Sequence, residues 1–179
     1  MTNIKLLNNK IQGQIIWNTT SLSYSTEYND AGTGTGAFYQ LSKLKTVVFP
    51  SSMTIVGKAA FANCTQLTNV TLPDALVSIA AEGFRSCTML TLPQGLPAGM
   101  SGSLGNGAFY WCTNLELVGD FPENLTIGNM SQVFENCSKV AFSSLKGRIS
   151  GEGGKRRFGN NSFNGTGLTT AVIQEGCSG

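Results

Sequence analysis

Histidine is absent from the sequence. It is the side chain that most often serves as a general base, binds metals and changes charge near neutral pH. Without it a serine–histidine triad is excluded, and no serine–lysine motif takes its place. The ten acidic residues are scattered singly and form no recurring pair. We therefore expect a protein that is not an enzyme and that binds no cofactor or metal.

Charged residues are also few, at 12% of the 179 residues, and the formal net charge is +2. A charge this small produces no field that attracts nucleic acid or an anionic membrane. No stretch approaches the roughly 18 apolar residues of a membrane-spanning helix, and MTNIKLLNNKIQGQIIW is a poor secretion signal. We expect no specific nucleic-acid partner and no membrane insertion.

A repeat accounts for most of what the sequence does contain. Phenylalanine followed three residues later by cysteine occurs at Phe61 with Cys64, Phe84 with Cys87, Phe109 with Cys112, and Phe134 with Cys137. The full set of aligned phenylalanines, spaced by 23, 23, 25, 25 and 29 residues, is Phe38, Phe61, Phe84, Phe109, Phe134 and Phe163. Since no such unit can bury its apolar side alone, we expect neighbouring units to stack and to share a core.

Each unit divides into three parts. An alternating run that ends in proline, such as TVVFP or NVTLP, predicts a short strand, because proline cannot donate the next ladder hydrogen bond. A second apolar pair after the proline, Leu76 with Ile79 or Met53 with Ile55, predicts another brief extended segment. The F-x-x-C segment predicts a single helical turn with both side chains on one face.

The combined pattern A-F-x-x-C-x-x-L-x-x-V-x-L-P resembles the BspA-like leucine-rich repeats from about Gly36 to Gln174. The fold we expect is a leucine-rich-repeat solenoid, a β-rich α/β repeat of five to six units with short strands and single helical turns. Residues 36–179 form the repeat domain in this interpretation, and residues 1–35 form an N-terminal cap. The resemblance implies surface adhesion and protein binding in general terms.

The repeated cysteines allow two interpretations. A zinc site is one, but structural zinc ligands usually come in close pairs, and these cysteines lie one unit apart without histidine. The other is a column of small, buried, reduced side chains, and we favour it because Leu41 and Thr166 occupy the same position in two units. Cys177 lies outside this column, and we expect its thiol to be exposed.

The fourth unit, which is aligned on Phe109, departs from the repeat at Tyr110 and Trp111. Its loop PQGLPAGMSGSLGNG is longer, and Trp111 stands where other units carry mostly polar residues. One interpretation is an aromatic anchor for a partner. The other, slightly favoured by the sequence alone, is a side chain that covers the neighbouring loop.

A basic segment stretches the last period. It brings together five of the twelve basic residues, namely Lys146, Arg148, Lys155, Arg156 and Arg157. One interpretation is that this segment binds an acidic partner or a phosphate. The alternative is a solvated loop without a binding role.

The last apolar run, LTTAVIQ, contains no proline or lysine that would discourage edge pairing. We therefore expect Val172 and Ile173 to contact another subunit or partner, which makes the protein a homo-oligomer or an assembly component. Two functions remain open: a non-enzymatic module that binds a protein partner or a host or cell-surface receptor in adhesion, and a structural virion component such as a phage appendage or decoration protein. The expected location is accordingly extracellular, at a cell surface, or on a virion.

Overall fold

The computed structural model describes residues 14–16, 36–127, 131–144, 148–149 and 160–170. Its secondary structure consists of short strands, and the described residues contain no helix. The strands are β1 (Gln14–Ile16), β2 (Thr46–Val48), β3 (Ile55–Val56), β4 (Ser78–Ile79), β5 (Leu117–Asp120), β6 (Thr126–Ile127), β7 (Val140–Ser144) and β8 (Arg148–Ile149).

All strand pairs are parallel, as expected for elements that recur in the same direction in successive units. The pairs are β1 with β2, β3 with β4, β5 with β7, and β6 with β8. Between β3 and β4 the register joins Ile55 to Ser78, one repeat apart, and a further parallel bridge joins Ile79 to Leu104. Successive units therefore lie beside one another in register.

The repeated phenylalanines form one column through the core, which we call the phenylalanine column. Each ring stacks on the next, with centroid distances of 5.3 to 5.7 Å from Phe38 to Phe163. Phe61, Phe84 and Phe109 are completely buried. The column confirms the register of all six units, including the last one, in which the motif is weakest.

The prediction of a helical turn at F-x-x-C is wrong. Alternate N–H groups of this segment donate within their own unit, to a carbonyl three residues earlier, and the groups between them donate to the next unit. In the second unit the first kind comprises Ala60, Ala62 and Cys64, and the second kind comprises Ala59, Phe61 and Asn63. A helix would direct all of these donors into its own segment, so the stacking of units replaces the helix by a series of linked turns.

Left-handed backbone conformations make this alternation possible. Five units carry two such residues, four positions apart: Ala59 and Asn63, Glu82 and Ser86, Gly107 and Trp111, Gln132 and Asn136, and Asn161 and Gly165. Most of these residues are not glycine, although positive φ is uncommon for other residues. The N–H groups that these turns direct outward donate to carbonyl groups of the neighbouring unit.

The first predicted strand occurs in some units and not in others. In β2, Val47 is buried between two exposed neighbours, which confirms the alternation in TVVFP. In the second unit, NVTLP forms no strand, because Asn69 has a φ of 49°. Its N–H donates to the Thr91 hydroxyl, and that hydroxyl donates to the Asn69 side-chain oxygen. Val70 and Leu72 are nevertheless buried.

The second predicted segment is confirmed as β3 and β4, with one correction. The buried partner of Met53 is Val56 rather than Ile55, whose side chain is 41% exposed. This places Met53 and Val56 three residues apart, as are Leu76 and Ile79. The described part of the chain holds no helix of a length and apolarity suited to crossing a membrane.

Several predictions fall on residues outside the described part. They concern the N-terminal cap except β1, and the residues Lys146, Lys155, Arg156, Arg157, Val172, Ile173 and Cys177.

Candidate functional site

The repeated cysteines lie in the interior, in a column beside the phenylalanines that we call the cysteine column. Cys64, Cys87, Cys112 and Cys137 are fully buried and free. Each thiol donates a hydrogen bond to the phenylalanine carbonyl of the preceding unit, as in Cys112 Sγ to Phe84 O at 3.0 Å. Each of these carbonyls also accepts the N–H of the residue three positions later in its own unit, so the thiol is a second donor to it.

Burial makes these thiols unreactive. It raises the pKa of Cys64 and Cys137 to about 12, partly offset by backbone hydrogen bonds. The pKa values of Cys87 and Cys112 are also raised well above the ordinary value, first by burial and then by neighbouring cysteines. Since the thiolate is the nucleophile and the metal ligand, we assign the column a packing role. Nor do the described residues contain any group of three or more acidic or cysteine side chains that could hold a metal.

Trp111 occupies a position that the backbone makes costly for a large side chain. Its φ is 59°, and its N–H donates to the Glu135 carbonyl at 2.9 Å, as the equivalent N–H groups of the other units from the first to the fifth donate to the next unit. The equivalent positions in the other units, also left-handed, hold Gln40, Asn63, Ser86, Asn136 and Gly165. Glycine and asparagine adopt this conformation readily, whereas a bulky residue there is an outlier.

The side chain of Trp111 remains 49% exposed. Its ring is nearly parallel to that of Tyr110, at 4°, with the centroids 6.0 Å apart. The guanidinium of Arg85 lies over the Tyr110 ring at 5.2 Å and also pairs with the Glu82 carboxylate at 3.2 Å. A role in covering a loop would account for only the buried half of Trp111, so the other half is available to a partner.

We call the surface formed by Glu82, Arg85, Tyr110 and Trp111 the aromatic patch. Sequence inspection found Tyr110 and Trp111 but missed the two charged residues, which come from the preceding unit. The alignment by phenylalanine already gives Arg85 and Tyr110 the same position, directly after that residue, and this equivalence is the signal that could have paired them. In a stack of repeats, residues at the same motif position of successive units lie next to each other.

The other predicted site residues are not brought to this patch by any described contact. Arg148 lies in β8, where its backbone pairs with Thr126. The remaining members of the basic segment, together with Val172 and Ile173, lie outside the described residues.

A second surface runs along the strand side of the units. Two neighbouring open clefts share Asn69 and Gln94, and the exposed Val48 and Val118 lie at their edges. Val48 shares its cleft with polar residues such as Thr46 and Ser51, and Val118 shares the other with Glu116. Single exposed aliphatic side chains are common on protein surfaces, so the aromatic patch is the stronger candidate.

Comparison with models of protein families gives a match to the chain. The model of the BspA type leucine rich repeat region matches residues 32–150 and 96–178, with six copies. The chain therefore belongs to the BspA-type leucine-rich-repeat family. No curated protein and no solved structure matches it.

Membership of this family defines the broad class of the protein. Such repeats are in general non-enzymatic, mediate protein–protein interactions and occur in surface proteins. The six copies agree with the six rings of the phenylalanine column.

Proposed function

We propose that this protein is a non-catalytic recognition module that binds a partner at the aromatic patch. The observation that carries the proposal is Trp111, a half-exposed tryptophan held in a left-handed conformation. Backbone strain of this kind typically costs about 1–3 kcal/mol and clusters at functional positions. Tryptophan and arginine are also enriched among the residues that dominate binding energies.

The setting that we propose is an exterior surface, where the partner is a protein or a receptor on a cell. The family association with surface proteins supports this setting. An adhesin on a cell and an appendage on a virion would use the patch in the same way. In either setting the six units form one solenoid, with residues 1–35 as its N-terminal cap.

Crosslinking in the native setting tests the proposal. A photoreactive amino acid replaces Thr113, two residues from Trp111 and exposed, or the exposed Val118 on the strand side as a matched control. We expect position 113 alone to yield a discrete adduct on cells or particles that carry the protein. Excess wild-type protein should abolish this adduct, and excess Trp111→Asn protein should not. Equal competition by the two proteins would contradict the proposal.

We further propose that Val172 and Ile173 contact another subunit. Support comes from the apolar run LTTAVIQ, which has no charge and no proline. Light scattering should give a mass above that of a monomer for the wild type and a monomer for Val172→Lys. A monomeric wild type at high concentration would exclude self-association.

A further inference from the structure

A small pocket lies in the aromatic patch, and its origin is a missing side chain. Gly107 occupies the left-handed position that Glu82 holds in the preceding unit and Gln132 in the following one. The N–H groups of these three residues make the same hydrogen bond to the next unit. A Cβ on Gly107 would lie 3.6 Å from Tyr110 Cβ, an ordinary contact distance. It would also lie 3.8 Å from Glu82 Cγ, so a side chain could begin at Gly107 without a clash and extend into the pocket.

The walls of this pocket carry both hydrogen-bond donors and acceptors. They are Glu82, Arg85, Asn106, Tyr110 and Gln132. The Asn106 side-chain oxygen accepts from the Ser131 N–H at 3.2 Å, and within the described part of the chain its amide N–H groups have no acceptor, so they can donate to a ligand. The exposed Gln132 amide has no hydrogen bond to any described residue. It therefore offers both a donor and an acceptor.

Charge in the pocket is balanced. Glu82 and Arg85 form an ion pair with each other, and the remaining polar walls are neutral amides. An anionic or cationic ligand would have to compete with this pair, and it would find no net charge of opposite sign. A purely apolar ligand would leave the amides unpaired, which is costly. The walls suit a neutral ligand rich in hydroxyl groups.

Aromatic rings add a second requirement. Tyr110 forms one wall, and the half-exposed Trp111 lies beside it with a nearly parallel ring. Such rings favour a ligand that has an apolar face as well as its polar groups. A sugar ring combines hydroxyl groups at its edge with a face of C–H groups.

We propose that the pocket over Gly107 binds one ring of a neutral saccharide and that Trp111 contacts an adjacent ring. This inference rests on the proposed recognition function and specifies its partner as a glycan. The amides of Asn106 and Gln132 bond the hydroxyl groups, and the saccharide ring lies beside Tyr110, one face of which the Arg85 guanidinium covers. Gly107 provides the space that a side chain fills in neighbouring units.

The test uses the full chain and defined oligosaccharides. An array of neutral and anionic oligosaccharides of two to five rings is screened. Each binder is then titrated while the indole N–H resonance of Trp111, assigned with Trp111→Phe, is followed by NMR. We expect at least one neutral oligosaccharide to shift this resonance saturably. No shift with any sugar up to about 50 mM, above the millimolar range of weak ligands, would overturn the proposal.

Two matched variants test the role of the pocket. Gly107→Gln restores the side chain that the fifth unit carries at this position. Gly95→Gln introduces the same side chain at another left-handed glycine, with φ of +70° and open space around it. Both variants carry similar backbone strain, but Gly107→Gln alone fills the pocket. We expect it to weaken saccharide binding about tenfold or more relative to Gly95→Gln, and equal affinities would overturn the proposal.

The result also separates this inference from the recognition function on which it rests. A silent array together with a Trp111-dependent crosslink would refute the saccharide and retain the recognition module. Loss of both signals would refute both.

Discussion

Two parts of the repeat unit behave differently from one unit to the next. The phenylalanine and cysteine columns keep the same residue types, stacking distances and burial through the middle units. The position directly after the phenylalanine changes in both residue type and exposure, from the buried Ala62 to the exposed Arg85, the half-buried Tyr110 and the buried Glu135. The contrast indicates that the columns hold the fold and that the turn surface is free to acquire function.

The fourth unit shows how far this freedom extends. It accepts tryptophan at a left-handed position and glycine where its neighbours carry Glu82 and Gln132. Neither substitution disturbs the buried Phe109 or Cys112, which lie within three residues of Trp111. A surface can therefore change while the hydrogen bonds to the next unit stay in register.

The largest effect is expected from truncation within the phenylalanine column. Phe84 is fully buried, with rings stacked on both sides at 5.3 and 5.6 Å. We expect Phe84→Ala to lower the free energy of unfolding by about 3–5 kcal/mol, as measured by denaturant titration. Phe163→Ala, at a partly buried position, serves as the comparison and should cost less. Equal losses would mean that the column is not the continuous core described above.

The cysteine column predicts a dependence of stability on pH. Burial on folding raises the pKa of Cys64 and Cys137 from 9.0 to about 12 and raises that of Cys87 and Cys112 well above 9.0, so the folded state retains protons that the unfolded state loses. Their contribution is complete below pH 9 and is lost as the pH rises through the folded pKa. Between these values, each thiol should lower the unfolding free energy by about 1.4 kcal/mol per pH unit.

Cys112→Ala isolates this contribution. The variant should show a shallower decline of unfolding free energy between pH 9 and 11 than the wild type, whatever the other titrating groups do. Thiol labelling at neutral pH is a second readout: we expect modification of Cys177 alone in the folded protein and of all five cysteines after denaturation. Rapid labelling of three or more folded thiols would contradict the buried column.

A smaller gain in stability is expected at Glu135. This side chain is 9% exposed, and its carboxylate oxygen Oε2 has no hydrogen-bond partner among the described residues, while Oε1 accepts from Asn164 at 3.4 Å. An unsatisfied buried polar atom is destabilising. Glu135→Gln, which preserves the shape, should raise the unfolding free energy by about 1 kcal/mol. A loss of stability in thermal melts would show that the charge has a partner in solution.

The sequence predicts the fold at the level of units, because burial of Phe61, Cys64 and their equivalents follows directly from the repeat. It does not predict the turn geometry. Alternate N–H groups donate to a unit 22 or more residues away, and local spacing carries no information about such bonds. One available signal was the recurrence of Asn or Ser before cysteine, at Asn63, Ser86 and Asn136, since asparagine tolerates the left-handed conformation.

The candidate site was predictable in part. Trp111 stands out in the sequence as an aromatic residue among polar equivalents. The pocket over Gly107 depends on three units at once, since its walls come from Glu82, Tyr110 and Gln132. Only the register of the stack brings these residues together, and a pattern within one unit cannot reveal it.

The most direct test of the separation between fold and function is Trp111→Asn. Asparagine is the residue at this position in the second and fifth units, so the substitution should relieve strain and raise the unfolding free energy by about 0.5–1 kcal/mol. The reciprocal variant Asn63→Trp should lower it by about 1–2 kcal/mol. We expect Trp111→Asn to be more stable than the wild type and to lose partner binding. A variant that is less stable and binds as well as the wild type would contradict the account, because Trp111 would then serve the fold.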